Sequence, residues 1–366
     1  MEFNLSKEQE LLRDGLAKFL DTRYDLPRSR TAAKTGSGWQ PEIWRSFADE
    51  LGILGATFDE SVGGIGGGAE EMMVITETLG RALVVEPYVS TVVVGGGLLA
   101  RADTAPARAV LEQIVAGTAV VALAHLDAEG PAAAASDGDG WVITGAKSVV
   151  LDAPLATHLL ITADTAEATS LFLTEFDASA LPAGLTVHSY RTIDDRQAAD
   201  LVFDGLRLPA DARLSVAEPS LARALDEGAA AVASEAVGCM RKVLADTVEY
   251  SKQRQQFGQR IGSFQVLQHR MVDMYMELEQ AVAAVYLAVL NLDAEPATRA
   301  RAVSAAKATV GRAARFIGQN AVQLHGGMGM TEELAIGHYF KRLTAVQYEF
   351  GSTDYHVTRY AELTKP

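Results

Sequence analysis

Two stretches punctuate the C-terminal half of the chain: Arg254-Gln255-Gln256-Phe257-Gly258, and Gln323-Leu324-His325-Gly326-Gly327-Met328-Gly329-Met330. Each interrupts apolar residues recurring at helical spacing. One stripe before Arg254 runs through Val232, Ala236, Met240, Val243 and Thr247. A second, between the two stretches, runs through Leu267, Met271, Met274, Leu278, Val282, Val285 and Val289. A third runs from Val303 through Val310 and Ile317 to Leu324. Gly326-Gly327 stops the third helix, Ser263 and Thr331 read as N-caps, and a fourth helix after Thr331 completes a bundle.

Upstream the period changes twice. From Ser6 to about Gly117 the pattern is helical, with one stripe on Leu12, Leu16 and Phe19 and another on Ile43, Trp44 and Phe47. A loop at Ser61–Gly68 is too glycine-rich for a helix interior. From about Thr118 to Pro209 the period is that of strands, as in Gly140-Trp141-Val142-Ile143-Thr144, Leu159–Thr162, Leu171–Leu173 and Leu201–Phe203. The expected organisation is α+β: an N-terminal helical domain over 1–117, a small central β domain over 118–215 and a C-terminal four-helix domain over 216–366.

A chain of 366 residues with 48% hydrophobic content builds a large core, which sets disorder aside. The net charge of -15 argues against a nucleic-acid binder, whose phosphate contacts require a concentrated basic surface. One cysteine, Cys239, lies in an apolar helical pattern and reads as a small core residue in a reducing cytoplasm. No histidine spacing suggests a metal site, and neither a signal core nor an apolar stretch of about 20 residues is present.

With Ile261 and Gln265 after the first stretch, both segments resemble signatures of the acyl-CoA dehydrogenase family. A third likeness is Gly52-Ile53-Leu54-Gly55 with Glu60–Gly66, read as architectural. The resemblance implies FAD as cofactor, Arg254 on its diphosphate, Phe257 near its adenosine, Gln265 as a further contact, and Gln323, Leu324, Gly326 and Gly327 approaching it with bare backbone. A guanidinium suits phosphate oxygens because its donors are planar. His325 reads as a structural hydrogen-bonder.

The chain departs from the family in the β domain. A segment of Thr-Glu-Pro followed by Gly-Ser-Asp is replaced by Ala122–Pro131, and the Trp-Ile-Thr after a lysine is replaced by Ser148-Val149-Val150-Leu151 after Lys147. Desaturation next to a thioester also needs a carboxylate base. In Gln347-Tyr348-Glu349-Phe350-Gly351-Ser352-Thr353-Asp354, the tyrosine and glutamate register makes Glu349 that base. The Gly351–Asp354 register, which keeps more matches, puts Phe350 there. An alternative family position falls on Gly228, with Glu227 beside it, and Glu235 is a further carboxylate on the same helix.

In the tetramers of this family the β domain holds the flavin end in cis, and the arginine and glutamine-glycine elements reach in from the neighbour. The resemblance therefore implies the small, partner subunit of a heterotetramer acting on an acyl-CoA, with electron-transfer flavoprotein as acceptor. A self-sufficient homotetramer using Glu349, or a non-catalytic acyl-CoA-binding scaffold, are the other readings.

Overall fold

A computed structural model describes residues 5–102, 104–214 and 218–365, Glu218 by its backbone alone. The start of the sequence at 1–4 and the boundary expected at 215/216 lie outside these residues. Six helices come first: α1 (Lys7–Arg23), α2 (Leu26–Thr35), α3 (Pro41–Asp49), α4 (Ala69–Arg81), α5 (Gly97–Ala102) and α6 (Ala105–Val115). Eight strands follow: β1 (Val121–Ala124), β2 (Ala133–Ser136), β3 (Gly140–Leu151), β4 (His158–Asp164), β5 (Thr169–Glu175), β6 (Leu185–Arg191), β7 (Gln197–Pro209) and β8 (Arg213–Leu214). Five helices end the chain: α7 (Glu218–Gln253), α8 (Gln265–Val289), α9 (Pro296–His325), α10 (Ala335–Ala345) and α11 (Thr353–Leu363). The expected order of N-terminal helices, central β-sheet and C-terminal helices is the order found. No helix among the described residues is long and apolar enough to cross a membrane.

Two compact units result, one of Met1–Arg28, Ala69–Val84 and Ala229–Pro366, the other of Ser29–Gly68 and Val85–Gly228. The second unit contains the sheet, ordered β6-β7-β3-β2-β4-β5-β8 with β1 parallel to β4. β3 and β7 form its longest antiparallel pair, and the register slips between Lys147 and Val150.

In the first unit, helices α4 and α7–α10 share one apolar core that includes Met73, Met240, Met274, Val310, Ile317 and Tyr339. Cys239 is fully buried there, its thiol 3.1 Å from the Gly80 carbonyl. Where α4 meets α7 the backbones touch. A Cβ on Gly238 would lie 1.9 Å from the Glu77 carbonyl oxygen, and one on Gly80 would lie 2.0 Å from that of Glu235. Only two glycines permit that approach, because any side chain would occupy the neighbour's backbone.

Two expected caps are corrected. α8 begins at Gln265 with Phe264 in the cap position, and α10 begins at Ala335 with Leu334 there. The Ser263 hydroxyl instead donates to the Arg260 carbonyl at 2.6 Å, and that of Thr331 to Met328 at 2.9 Å. Each hydroxyl closes the preceding turn rather than accepting a helix N–H.

Gly238→Ala is expected to lower stability by about 1–3 kcal/mol through overpacking of the α4–α7 crossing. Urea denaturation midpoints measure it, with Gly15→Ala in α1, where a Cβ would meet nothing within 4 Å and φ is not positive, as the comparison.

Candidate cofactor surface and base positions

Arg254 follows α7 and remains bonded to it, its N–H donating to Tyr250 O at 2.8 Å. A short hairpin pairs Gln255–Gln256 with Gln259–Arg260 and turns at Phe257, φ 55°, and Gly258, φ 79°. The turn presents Phe257 to solvent with 91% of its surface exposed, its edge against Phe264 at 6.2 Å. The exposed Arg254 guanidinium has no protein partner among the described residues, and Gln265 is exposed at the first position of α8.

α9 ends nearby for a backbone reason: Gly326 sits at φ 61°, ψ -144°, a region glycine alone adopts without strain. Tyr250 stacks on His325 with ring centroids 4.3 Å apart, and its hydroxyl donates to His325 O at 3.4 Å, so the ends of α7 and α9 are held together. His325 is buried, and its Nδ1–H donates to Ala321 O at 2.8 Å. Gln323, Gly326 and Gly327 are exposed, and a Cβ on either glycine would meet nothing within 4 Å. Leu324 points into the core, so only its backbone is available to a ligand. A free guanidinium, an exposed ring, exposed amides and bare backbone suit a dinucleotide: diphosphate on the cation, apolar surface on the ring.

The candidate base carboxylates are placed differently. Glu349 accepts both terminal guanidinium nitrogens of Arg342, through Nη1 and, at 3.0 Å, through Nη2. The same guanidinium donates to both oxygens of Glu235 at 2.8 Å. Arg342 and Glu235 are 2% and 3% exposed, which makes a buried carboxylate–guanidinium–carboxylate bridge. Lys307 of α9 is 1% exposed and donates to Val346 O at 2.7 Å and Gly351 O at 3.1 Å, at either end of the loop carrying Glu349. Burial pushes its amine down to about 8, against the opposing pull of Glu349. Within that loop Phe350 takes φ 55° and Gly351 φ 106°. In the other unit, Glu227 accepts both Arg101 terminal nitrogens at 3.1 and 3.0 Å and Arg223 Nε at 2.9 Å.

In the β domain the Lys147 ammonium is consumed by Asp127 Oδ1 at 2.6 Å and Thr162 Oγ1 at 2.9 Å. Val149 follows at φ 51°, an outlier for a β-branched residue, and its N–H donates to Asp200 Oδ1 at 2.9 Å. The groups beside the strand's register slip are thus bonded within the domain.

Sequence reading did not find Arg342 or Lys307, although each left a signal. Arg342 shares a helix face with Tyr339 and Leu343, and Lys307 falls between Val303 and Val310 on the apolar stripe of α9. A charge on an apolar face marks a buried group with polar partners.

Comparison with known proteins matches residues 6–118 to the acyl-CoA dehydrogenase N-terminal domain and residues 219–363 to the acyl-CoA dehydrogenase C-terminal domain. Acyl-CoA dehydrogenase IpdE2 of Mycolicibacterium smegmatis is 30% identical over 92% of this chain and 93% of its own. A steroid ACAD variant, Tcur3481-Tcur3483, superimposes with a TM-score of 0.88 at 27% identity, over 98% of this chain and 97% of that one. The ChsE4-ChsE5 complex of Mycobacterium tuberculosis shares the fold with a TM-score of 0.92 at 24% identity, over the full length of both chains.

Arg342→Met is expected to cost about 3–5 kcal/mol in urea denaturation, because it strands the buried Glu235 carboxylate and removes the guanidinium from the partly buried Glu349. Lys307 gives a pH signature. Between about pH 8 and the ordinary lysine value the unfolded chain holds a proton that the folded chain has released. Stability therefore rises with pH across that window, and Lys307→Met flattens the rise in midpoints measured from pH 7.5 to 10.

Proposed function

The chain belongs to the acyl-CoA dehydrogenase family, and from that premise we propose that it is the partner subunit of a heteromeric, FAD-dependent acyl-CoA dehydrogenase. In this reading it completes flavin sites whose ring contacts and base come from a homologous subunit. One observation carries the proposal: Glu349, Glu235 and Glu227, the carboxylates at or beside the candidate base positions, are each held by an arginine through both oxygens. A general base must reach the proton it removes, and a carboxylate engaged on both oxygens by a guanidinium is poorly placed to do so.

The outward-facing groups support the same reading. Arg254, Phe257, Gln265, Gln323 and the backbone of Leu324, Gly326 and Gly327 would hold the diphosphate and adenosine portions of FAD belonging to the neighbour. Bound flavin supplies the acceptor for the β-hydrogen of an acyl-CoA thioester. The chain's own task is to bind and orient: a cation for the diphosphate, and a ring and bare backbone that exclude water from the adenosine end. Electron-transfer flavoprotein is the proposed acceptor. Likeness to a steroid ACAD at 27% identity favours a CoA thioester of a steroid side chain as substrate.

The second reading, a homotetramer with Glu349 as base, requires that carboxylate to leave Arg342. Expression alone and with a homologous dehydrogenase subunit separates the two. The proposal expects stoichiometric FAD and acyl-CoA oxidation only in the co-purified complex, and a chain that is yellow and active by itself sinks it. In the complex, Arg254→Gln is expected to weaken FAD binding about 10- to 100-fold, read by flavin release on dilution. Glu349→Gln leaves turnover per bound flavin intact if the base lies in the partner and abolishes it if Glu349 is the base.

A further inference from the structure

The bridge around Arg342 is an expensive way to hold a loop. Glu235 on α7, Arg342 on α10, Glu349 in the α10–α11 loop and Lys307 on α9 place two carboxylates and two cations together, the first, second and fourth of them at most 3% exposed. Buried charge is costly to desolvate, and apolar residues of the same volume often serve stability as well or better. Burial indeed outweighs the attraction of Glu349 at Lys307.

What the four groups define is direction. Lys307 fastens the carbonyls of Val346 and Gly351, Arg342 pulls Glu349 inward, and His356 Nε2–H donates to Phe350 O at 2.9 Å. Between these fixings the chain passes through two successive positive φ angles, at Phe350 and Gly351. A phenylalanine in the left-handed region is disfavoured and persists only where its surroundings over-determine it.

We propose that the Glu235–Arg342–Glu349–Lys307 quartet acts as a conformational specifier: it selects one course for the α10–α11 loop, with Glu349 turned in and Phe350 strained, and adds little to overall stability. Lys307 and Arg342 are thus positioning residues for the segment at which the family register places either a carboxylate or Phe350.

The test uses the full chain without flavin or partner, so it stands apart from the subunit assignment. Glu235→Leu, Lys307→Met, Arg342→Met and Glu349→Leu are combined, and hydrogen exchange is followed at the loop amides that are bonded in the native chain, those of Val346, Tyr348 and Gly351. The expected result is a Tm within a few degrees of the parent, intact protection in α9, and loop protection lowered by at least about tenfold. Loop protection unchanged, or lost only in step with α9 and the Tm, overturns the proposal. Lys307→Met alone, which keeps the Arg342 bridge, is read in the same way should the fourfold variant not fold: loop amides that keep their protection relative to α9 refute it.

Discussion

Backbone contact between α4 and α7 is the constraint on which the first unit depends. With no side chain at Gly80 or Gly238, each helix rests on a carbonyl of the other, and the carbonyl under Gly80 belongs to Glu235. The residue at the crossing is thereby fixed in rotation as well as position. Its side chain is delivered to Arg342, through which α7 is coupled to α10 and to the loop beyond. Burial of apolar surface in the shared core supplies most of the stabilisation, but the glycine crossing decides which polar groups meet inside it.

Most of the architecture was legible because its signals are periodic. The stripes of α7, α8 and α9 have the helical spacing, Gly326 stops α9 by its φ and ψ, and the strand segments around Trp141, Leu160, Phe172 and Val202 carry β-branched and apolar runs. The caps at Ser263 and Thr331 misled because a hydroxyl can either accept from the helix that follows or donate to the turn that precedes, and composition does not distinguish these. The ion bridge was less legible still. Glu235 lies 107 residues from Arg342 and meets it only through packing, so the sequence showed a lone charge on an apolar face and not its partner.

Motif reading located groups without revealing what they touch. Leu324 belongs to the same segment as Gln323 and Gly327, yet it serves the core while they face solvent. Glu349 stands next to a tyrosine as a base would, yet its oxygens are occupied. Engagement by Arg342 is a geometric fact that one-dimensional register cannot express, and on the proposed subunit reading it makes that carboxylate a structural anion rather than a proton acceptor.

Phe257 carries a last consequence. A side chain with 91% of its surface in water forgoes about 1.5–3 kcal/mol of transfer free energy until another surface covers it. Met330 and Tyr348 elsewhere on the surface are likewise exposed apolar side chains. On the proposed subunit reading, a copy made without its partner keeps the Phe257 ring in water, which favours making the two subunits in step. Matched synthesis would then matter as much to the yield of working protein as the affinity of the finished contact.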